Sequence, residues 1–244
     1  MIQGLYLASQ AMTVMMDKQE QVANNLANIN TTGFKESSLF AQTYQKYLAD
    51  DQLNPKTQSE IKPDQVYVNY SEGTAKKTGG SLDLLLKGSG FFTVMTPDGV
   101  GYTRNGNFAL DPEGFLVTNE GNKVMSTEGY VKVDTTKPLT FGNKGEIYQE
   151  DGLKAVLKIS DFEKPYRLER TGSSFFRPTL PDNPVIQSAG YEIRQGFLES
   201  SNVNIIKNMV AMITAFRSYE ADQKAAQAQD ETLQKAINDV GRPV

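Results

Sequence analysis

Residues 204–240 read NIIKNMVAMITAFRSYEADQKAAQAQDETLQKAINDV, thirty-seven positions without a glycine or a proline. Such a run can form one unbroken helix, ~55 Å long at 1.5 Å per residue, where an ordinary globular helix has ~11–12 residues. Alternating steps of four and three pick out Ile205, Met209, Met212, Phe216, Tyr219, Gln223, Ala226, Asp230, Leu233, Ile237 and Val240. Nine of these eleven are apolar, and the spacing is the 3.5-residue period of a seam between helices. A helix this long requires a partner.

The other end of the chain offers one. Leu5, Ala8, Met12, Met15, Gln19, Val22, Leu26 and Ile29 repeat in the same alternation, with a polar interruption at Gln19. Two arrangements satisfy this pattern: a helical hairpin closing a single domain, or helices that pack against other copies of the chain. Periodicity does not separate them.

At 244 residues the chain holds one large domain or two modest ones. Its 25 basic and 29 acidic residues give a net charge of −4 with no basic cluster. Nucleic acid is therefore not an expected partner, because phosphate neutralisation needs concentrated Lys and Arg. No apolar run reaches the ~18–20 residues that span a bilayer, so membrane insertion is not expected. The first residues lack the basic and apolar regions of a cleaved secretory signal. Cys, His and Trp are all absent. That removes disulfides, thiolate chemistry and the commonest general base and metal ligand. The expectation is a protein that is not an enzyme and has no cofactor or metal.

The first helix is expected from near Ile2 to Ile29, and it runs into ANNLANINTTGFK at residues 23–35. Asn is a mediocre helix former because its amide competes for nearby backbone groups. Asn30 or Gly33 can adopt the left-handed conformation that ends a helix, but Asn24 and Asn28 lie further inside. Asp17, Gln21, Asn24 and Asn28 make a polar row. A solvated face is the commoner reading; the functional one is a hydrogen-bonding surface for a neighbouring helix.

Beyond it, Leu39, Phe40, Tyr44, Tyr47 and Leu48 fit either a continued helix or an extended arm. Asp50 to Gln65, with Pro55 and Pro63, reads as a loop, and Gln65 to Tyr70 as a short strand. From Gly80 to about Arg194 short apolar runs alternate with turns such as Thr96-Pro97-Asp98-Gly99, Asn105-Gly106-Asn107 and Asp111-Pro112-Glu113-Gly114. These indicate a meander, sandwich or small barrel.

The expected fold class is α+β: long N- and C-terminal helices pairing as a coiled-coil-like core, with a β-rich central domain between them. The expected divisions are a helix at 1–35, an arm or loop at 36–79, the β-rich domain at 80–195 and a helix at 196–244. Asp98, Asp111 and Glu113 are the obvious paired carboxylates, but each sits in a turn where its residue type is favoured for geometry alone. Gly88-Ser89-Gly90 lacks the third glycine of a nucleotide loop and opens onto a strand.

The stretch from Ala23 to Lys35, with Asn30, Gly33 and Phe34, resembles the N-terminal signature of the flagellar basal-body rod and hook proteins. Gly88 to Val94 and Tyr102 to Phe108 resemble the start of that family's central β domain, carried here by Gly90, Phe91, Phe92, Tyr102, Arg104 and Gly106. Gln195 to Val203, with Gly196, Glu199, Asn202 and Val203, resembles the approach to its C-terminal helix. One β domain of this size fits the family's two related distal-rod subunits. The resemblance implies a structural subunit whose terminal helices form the inner wall of a helical tube and whose β domain forms its outer layer, passing motor torque to the hook. It implies further copies of the chain, other rod subunits, hook protein and the flagellar export apparatus as partners. It also implies a place in the basal body, in the cell envelope and periplasmic space, reached without a cleaved signal.

The subunit interfaces it points to are Leu5, Met12, Met15, Val22, Asn24, Asn25, Leu26, Asn28 and Ile29 on the first helix. On the last helix they are Ile205, Met209, Met212, Phe216, Tyr219, Leu233 and Ile237. The competing reading is an adhesive or carbohydrate-binding β domain on a coiled-coil oligomerisation stalk, with its ligand held among Asp98, Asp111 and Glu113.

Overall fold

The computed structural model describes residues 2–48, 56–150, 152–172, 174–179, 185–188 and 190–240. The chain forms two compact units. One comprises Met1–Ala27, Glu36–Asn69 and Val203–Val244; the other comprises Asn28–Lys35 and Tyr70–Asn202.

The first unit holds α1 (Ile2–Ala27), β1 (Ser37–Leu48), β2 (Lys56–Val68) and α2 (Ile205–Val240). Asn204 caps α2, its Oδ1 accepting the Lys207 N–H at 3.0 Å and so satisfying one of the first-turn donors. The two helices are antiparallel neighbours. The Asn25 side chain meets Asn208, and at the far end a Cβ on Gly4 would fall 2.7 Å from the Gln229 amide. Each of these pairs lies 21 residues from the other along its own helix, so the register is constant.

β1 and β2 form an antiparallel ribbon from Ser37 opposite Val68 to Leu48 opposite Lys56, with a bulge between Phe40 and Ala41. Residues 56–65, expected as loop, are therefore strand. Pro63 is compatible with this because a two-stranded ribbon has only outer edges, where a missing N–H is tolerated. The rest of that expected loop, residues 50–55, lies outside the described residues.

The expectation of long terminal helices paired as a coiled-coil-like core is overturned. Among the described residues the fold has two helices and is 28% helical against 37% strand, with no long coiled-coil core. A heptad seam needs large apolar side chains at the contact. Here Ile205, Met209 and Phe216, three seam residues of α2, are about half exposed, while the buried positions of the same stretch are Asn208 and Ala215. Among the described side chains of α1 the buried positions are Val14, Val22 and Asn25.

The second unit carries the hydrophobic core. Its strands begin with β3 (Ala75–Lys77), β4 (Leu84–Lys87), β5 (Phe91–Thr96), β6 (Gly99–Thr103), β7 (Phe108–Leu110) and β8 (Leu116–Thr118). They continue with β9 (Lys123–Ser126), β10 (Gly129–Tyr130), β11 (Thr140–Phe141), β12 (Glu146–Gln149), β13 (Gly152–Val156) and β14 (Ile159–Phe162). The last are β15 (Leu168–Thr171), β16 (Phe175–Pro178), β17 (Val185–Gln187), β18 (Glu192–Gln195) and β19 (Phe197–Glu199).

The main antiparallel sheet runs β15-β16-β6-β5-β9-β8-β7, with β10 on β9, and β14 joining β5 to β17. β11, β12 and β13 form a smaller sheet. Leu84, Leu86, Phe92, Val94, Leu116, Ile147, Leu157 and Ile193 are fully buried between these elements, each stabilising by ~1.5–3 kcal/mol relative to exposure. The last two strands fold back on the first two: β18 pairs with β4 and β19 with β3. This return brings the distant signature stretches together.

Candidate functional site

The three signature stretches, far apart in sequence, converge inside the second unit. Gly33 donates its N–H to the Glu199 carbonyl at 2.8 Å, and Thr32 Oγ1 donates to Asn105 Oδ1 at 2.7 Å. Asn202 N–H reaches the Phe34 carbonyl at 3.4 Å. Gly33 has φ +68°, and a Cβ there would lie 2.4 Å from the Asn105 backbone nitrogen. Only glycine fits, on conformation and on space. Gly106 is confined differently, since a Cβ would lie 1.7 Å from the Leu84 carbonyl oxygen.

At the centre lies a buried charge cluster. Lys35, Arg104 and Glu199 are 1%, 4% and 2% exposed, so water does little to solvate any of them. Lys35 Nζ donates to Glu199 Oε1 at 2.5 Å and to the Ser71 carbonyl at 2.7 Å. The same carboxylate oxygen accepts the Gly73 N–H at 2.9 Å. Arg104 donates to the Leu86 and Gly88 carbonyls at 3.0 and 2.7 Å, lies over the Phe91 ring, and places Nη1 3.8 Å from Glu199 Oε2. Burial pushes the Lys35 ammonium below its ordinary value, more than the attraction of Glu199 raises it. Arg170 donates to the Lys35 carbonyl and stacks on Phe34, whose ring is 4.2 Å away. One carboxylate thus ties the N-terminal signature, the 71–77 segment and the C-terminal strand. The cluster is a tie between segments, with no water-exposed group for chemistry.

A second polar centre lies in the first unit. Asn25 Nδ2 donates to the Ser37 carbonyl at 2.7 Å and to Asn208 Oδ1 at 3.2 Å, while Asn25 Oδ1 accepts the Ser37 N–H at 3.0 Å. Asn208 in turn donates to Glu36 Oε1 at 2.9 Å. These contacts fix α1 against α2 and the start of β1.

The residues expected at subunit interfaces divide by accessibility. Val22 and Asn25 are buried; Met12, Met15, Leu26, Asn28 and Ile29 are half-buried; Leu5 and Asn24 are exposed. On α2, Met212, Tyr219 and Leu233 are half-buried, and Ile205, Met209 and Phe216 are exposed. The Ile237 side chain lies outside the described residues. Of the signature positions, Gly33, Phe34, Gly90, Phe91, Phe92, Tyr102, Arg104, Gly106, Glu199 and Val203 are buried, Gly196 and Asn202 are half-buried, and Asn30 is exposed.

Lys35, Asn105 and Asn208 make these contacts, and none of them was among the expected site residues. A Lys and a Glu in two separate signatures were the only available signal for the first. Two of the three turn carboxylates have contacts of their own. Asp98 faces Arg177 at 3.5 Å with its side chain largely exposed, and Asp111 accepts the Phe115 N–H of its own turn. No group of metal-ligating side chains occurs among the described residues.

Comparison with known proteins finds a family match at each of the three stretches. Residues 5–35 match the family described as flagella basal body rod protein, 85–149 the flagellar hook protein FlgE/F/G D1 domain, and 194–239 the flagellar basal body rod FlgEFG protein C-terminal family. The chain is 32% identical to the flagellar basal-body rod protein FlgG of Borreliella burgdorferi, over 98% of each chain. It is 31% identical to FlgG of Bacillus subtilis, over 98% of this chain and 99% of that one. It is also 32% identical to the rod protein FlgF of Caulobacter vibrioides, over 98% of each. These matches define the class, a structural protein of the flagellum. The chain belongs to the family of flagellar basal-body rod proteins and is a structural subunit of that kind.

Proposed function

We propose that the chain polymerises helically through its terminal helices, as a distal-rod subunit of a drive shaft that carries motor torque to the hook. One observation carries this reading. The first three turns of α2 hold Ile205, Ile206, Met209, Val210, Ile213 and Phe216 at 48–76% exposure. A contiguous apolar face of this kind marks an interaction surface, and heterologous contacts that do not close build open helical assemblies. Other rod subunits and hook protein are the natural neighbours at the two ends of such a shaft. Export through the flagellar apparatus to the cell envelope and periplasmic space completes the reading. No described helix is long and apolar enough to cross a membrane.

Catalysis has no part in this role: the buried charges hold segments, and the turn carboxylates serve turns. The test is electron microscopy of the purified chain beside an Ile206→Asp variant. Rod-like polymers from the former and none from a normally folded variant are expected. Equal polymers from both would contradict the assignment of this face.

A further inference from the structure

We infer that Met209 is a modification site: in the unassembled chain a peroxide oxidises its thioether to the sulfoxide, and the oxidised chain is barred from the polymer. This rests on the assembly reading above and adds a chemistry to the exposed face of α2. The chain has eight methionines and no cysteine, so its sulfur chemistry is that of thioethers alone. Among the described residues two of these are exposed, Met209 at 52% and Met16 at 57%. Met12, Met15, Met95, Met125 and Met212 are half-buried. A peroxide in solution therefore meets Met209 and Met16 first, because the sulfur must be reached by the oxidant before it can react.

A lone pair of Met209 Sδ attacks the terminal oxygen of hydrogen peroxide or an alkyl hydroperoxide, and the O–O bond breaks. The proton on the transferred oxygen passes to the departing one, which leaves as water or alcohol. Sulfur is oxidised and the peroxide reduced, with no further reagent. Position decides the consequence. Residues three and four apart on a helix are neighbours, so Ile205, Ile206 and Ile213 flank Met209, at 48%, 76% and 55% exposure. A sulfoxide there sets a strong hydrogen-bond acceptor in the middle of an apolar face. Covering that face would strip the oxygen of water and leave it against isoleucine side chains, which offer no donor. Met16 differs, since Thr13 and Glu20 stand beside it at those spacings and both are exposed. Its sulfoxide interrupts no such face. Once Met209 is covered in a polymer the oxidant no longer reaches it, so the modification selects among chains that have not yet assembled.

Hydrogen peroxide treatment of the purified full-length chain, followed by peptide mass spectrometry, reads the site. Met16 and Met209 are expected to oxidise several-fold faster than the half-buried methionines. Met209 oxidised no faster than these overturns the site. A partly oxidised batch, its helix content checked by circular dichroism, is then brought to polymerise. Met209 sulfoxide is expected to collect in the unassembled fraction and to be depleted several-fold from the polymers. Methionine sulfoxide reductases for both epimers, with a thiol reductant, should return that fraction to assembly. Polymers that carry Met209 sulfoxide at the level of the input overturn the bar. Absence of polymers from the untreated chain contradicts the assembly reading and the bar with it, while the order of oxidation still decides the site.

Discussion

Glu199 accepts hydrogen bonds from Lys35 and Gly73 while two cations share its buried surroundings. Glu199→Gln removes the counter-charge paired with the Lys35 ammonium. Breaking a buried pair from one side costs ~3–5 kcal/mol, so denaturant unfolding of this variant should show a loss of that size. Adding Lys35→Met should recover part of it, since the stranded charge goes too. Gly33→Ala should cost ~1–3 kcal/mol, from a left-handed conformation closed to alanine and a Cβ against the Asn105 backbone.

Tyr166 gives a pH signature. Burial, then its hydrogen bond to Asp161, pushes the phenol up to about 12, against ~10 in an unfolded chain. The folded state keeps its proton longer, so this group's contribution to stability is whole below pH ~10 and is lost as pH rises towards 12. Absorbance titration at alkaline pH should show a late-ionising phenol that Tyr166→Phe removes.

At the scale of elements, α2 shows what periodicity conveys and what it omits. Its length and its start after Asn204 were legible, because no glycine or proline interrupts 204–240 and Asn is a favoured cap. The phase of its buried face was not. Hydrophobic spacing selects a row at the edge of that face, with Met212, Tyr219 and Leu233 half-buried and Ile205, Met209 and Phe216 exposed. The side that meets α1 is decided by Asn208 pairing with Asn25, an amide contact that an apolar pattern cannot register. Ser37 would lose both of its Asn25 bonds in Asn25→Leu. The cost should be ~1–3 kcal/mol for each buried group left unmade, read as a lower midpoint for the first unit by helix-sensitive circular dichroism. Met209→Asp, on the outward side, should leave that midpoint nearly unchanged, within ~0.5 kcal/mol, and still block polymerisation.

For the whole molecule, the turns of the β-rich region were legible because Pro-Asp-Gly and Asn-Gly signals report local geometry. The pairing of β18 with β4 and β19 with β3 joins residues more than a hundred positions apart, and no local signal encodes it. The same distance hid the Lys35–Glu199 tie, although both residues stand in stretches that resemble the family's signatures. Residues 56–65 escaped because two prolines and a polar composition outweighed a weak alternation. The apolar core thus lies in the second unit, whereas α2 exposes large apolar side chains that, on the proposed reading, a neighbour covers.

Sedimentation velocity on the full chain and on Ile213→Asp, at matched concentration, tests that claim most directly. The account predicts large, concentration-dependent polymers from the unsubstituted chain and a folded monomer from the variant. A chain that remains monomeric as concentration rises, or a variant that polymerises as well as its parent, would contradict it.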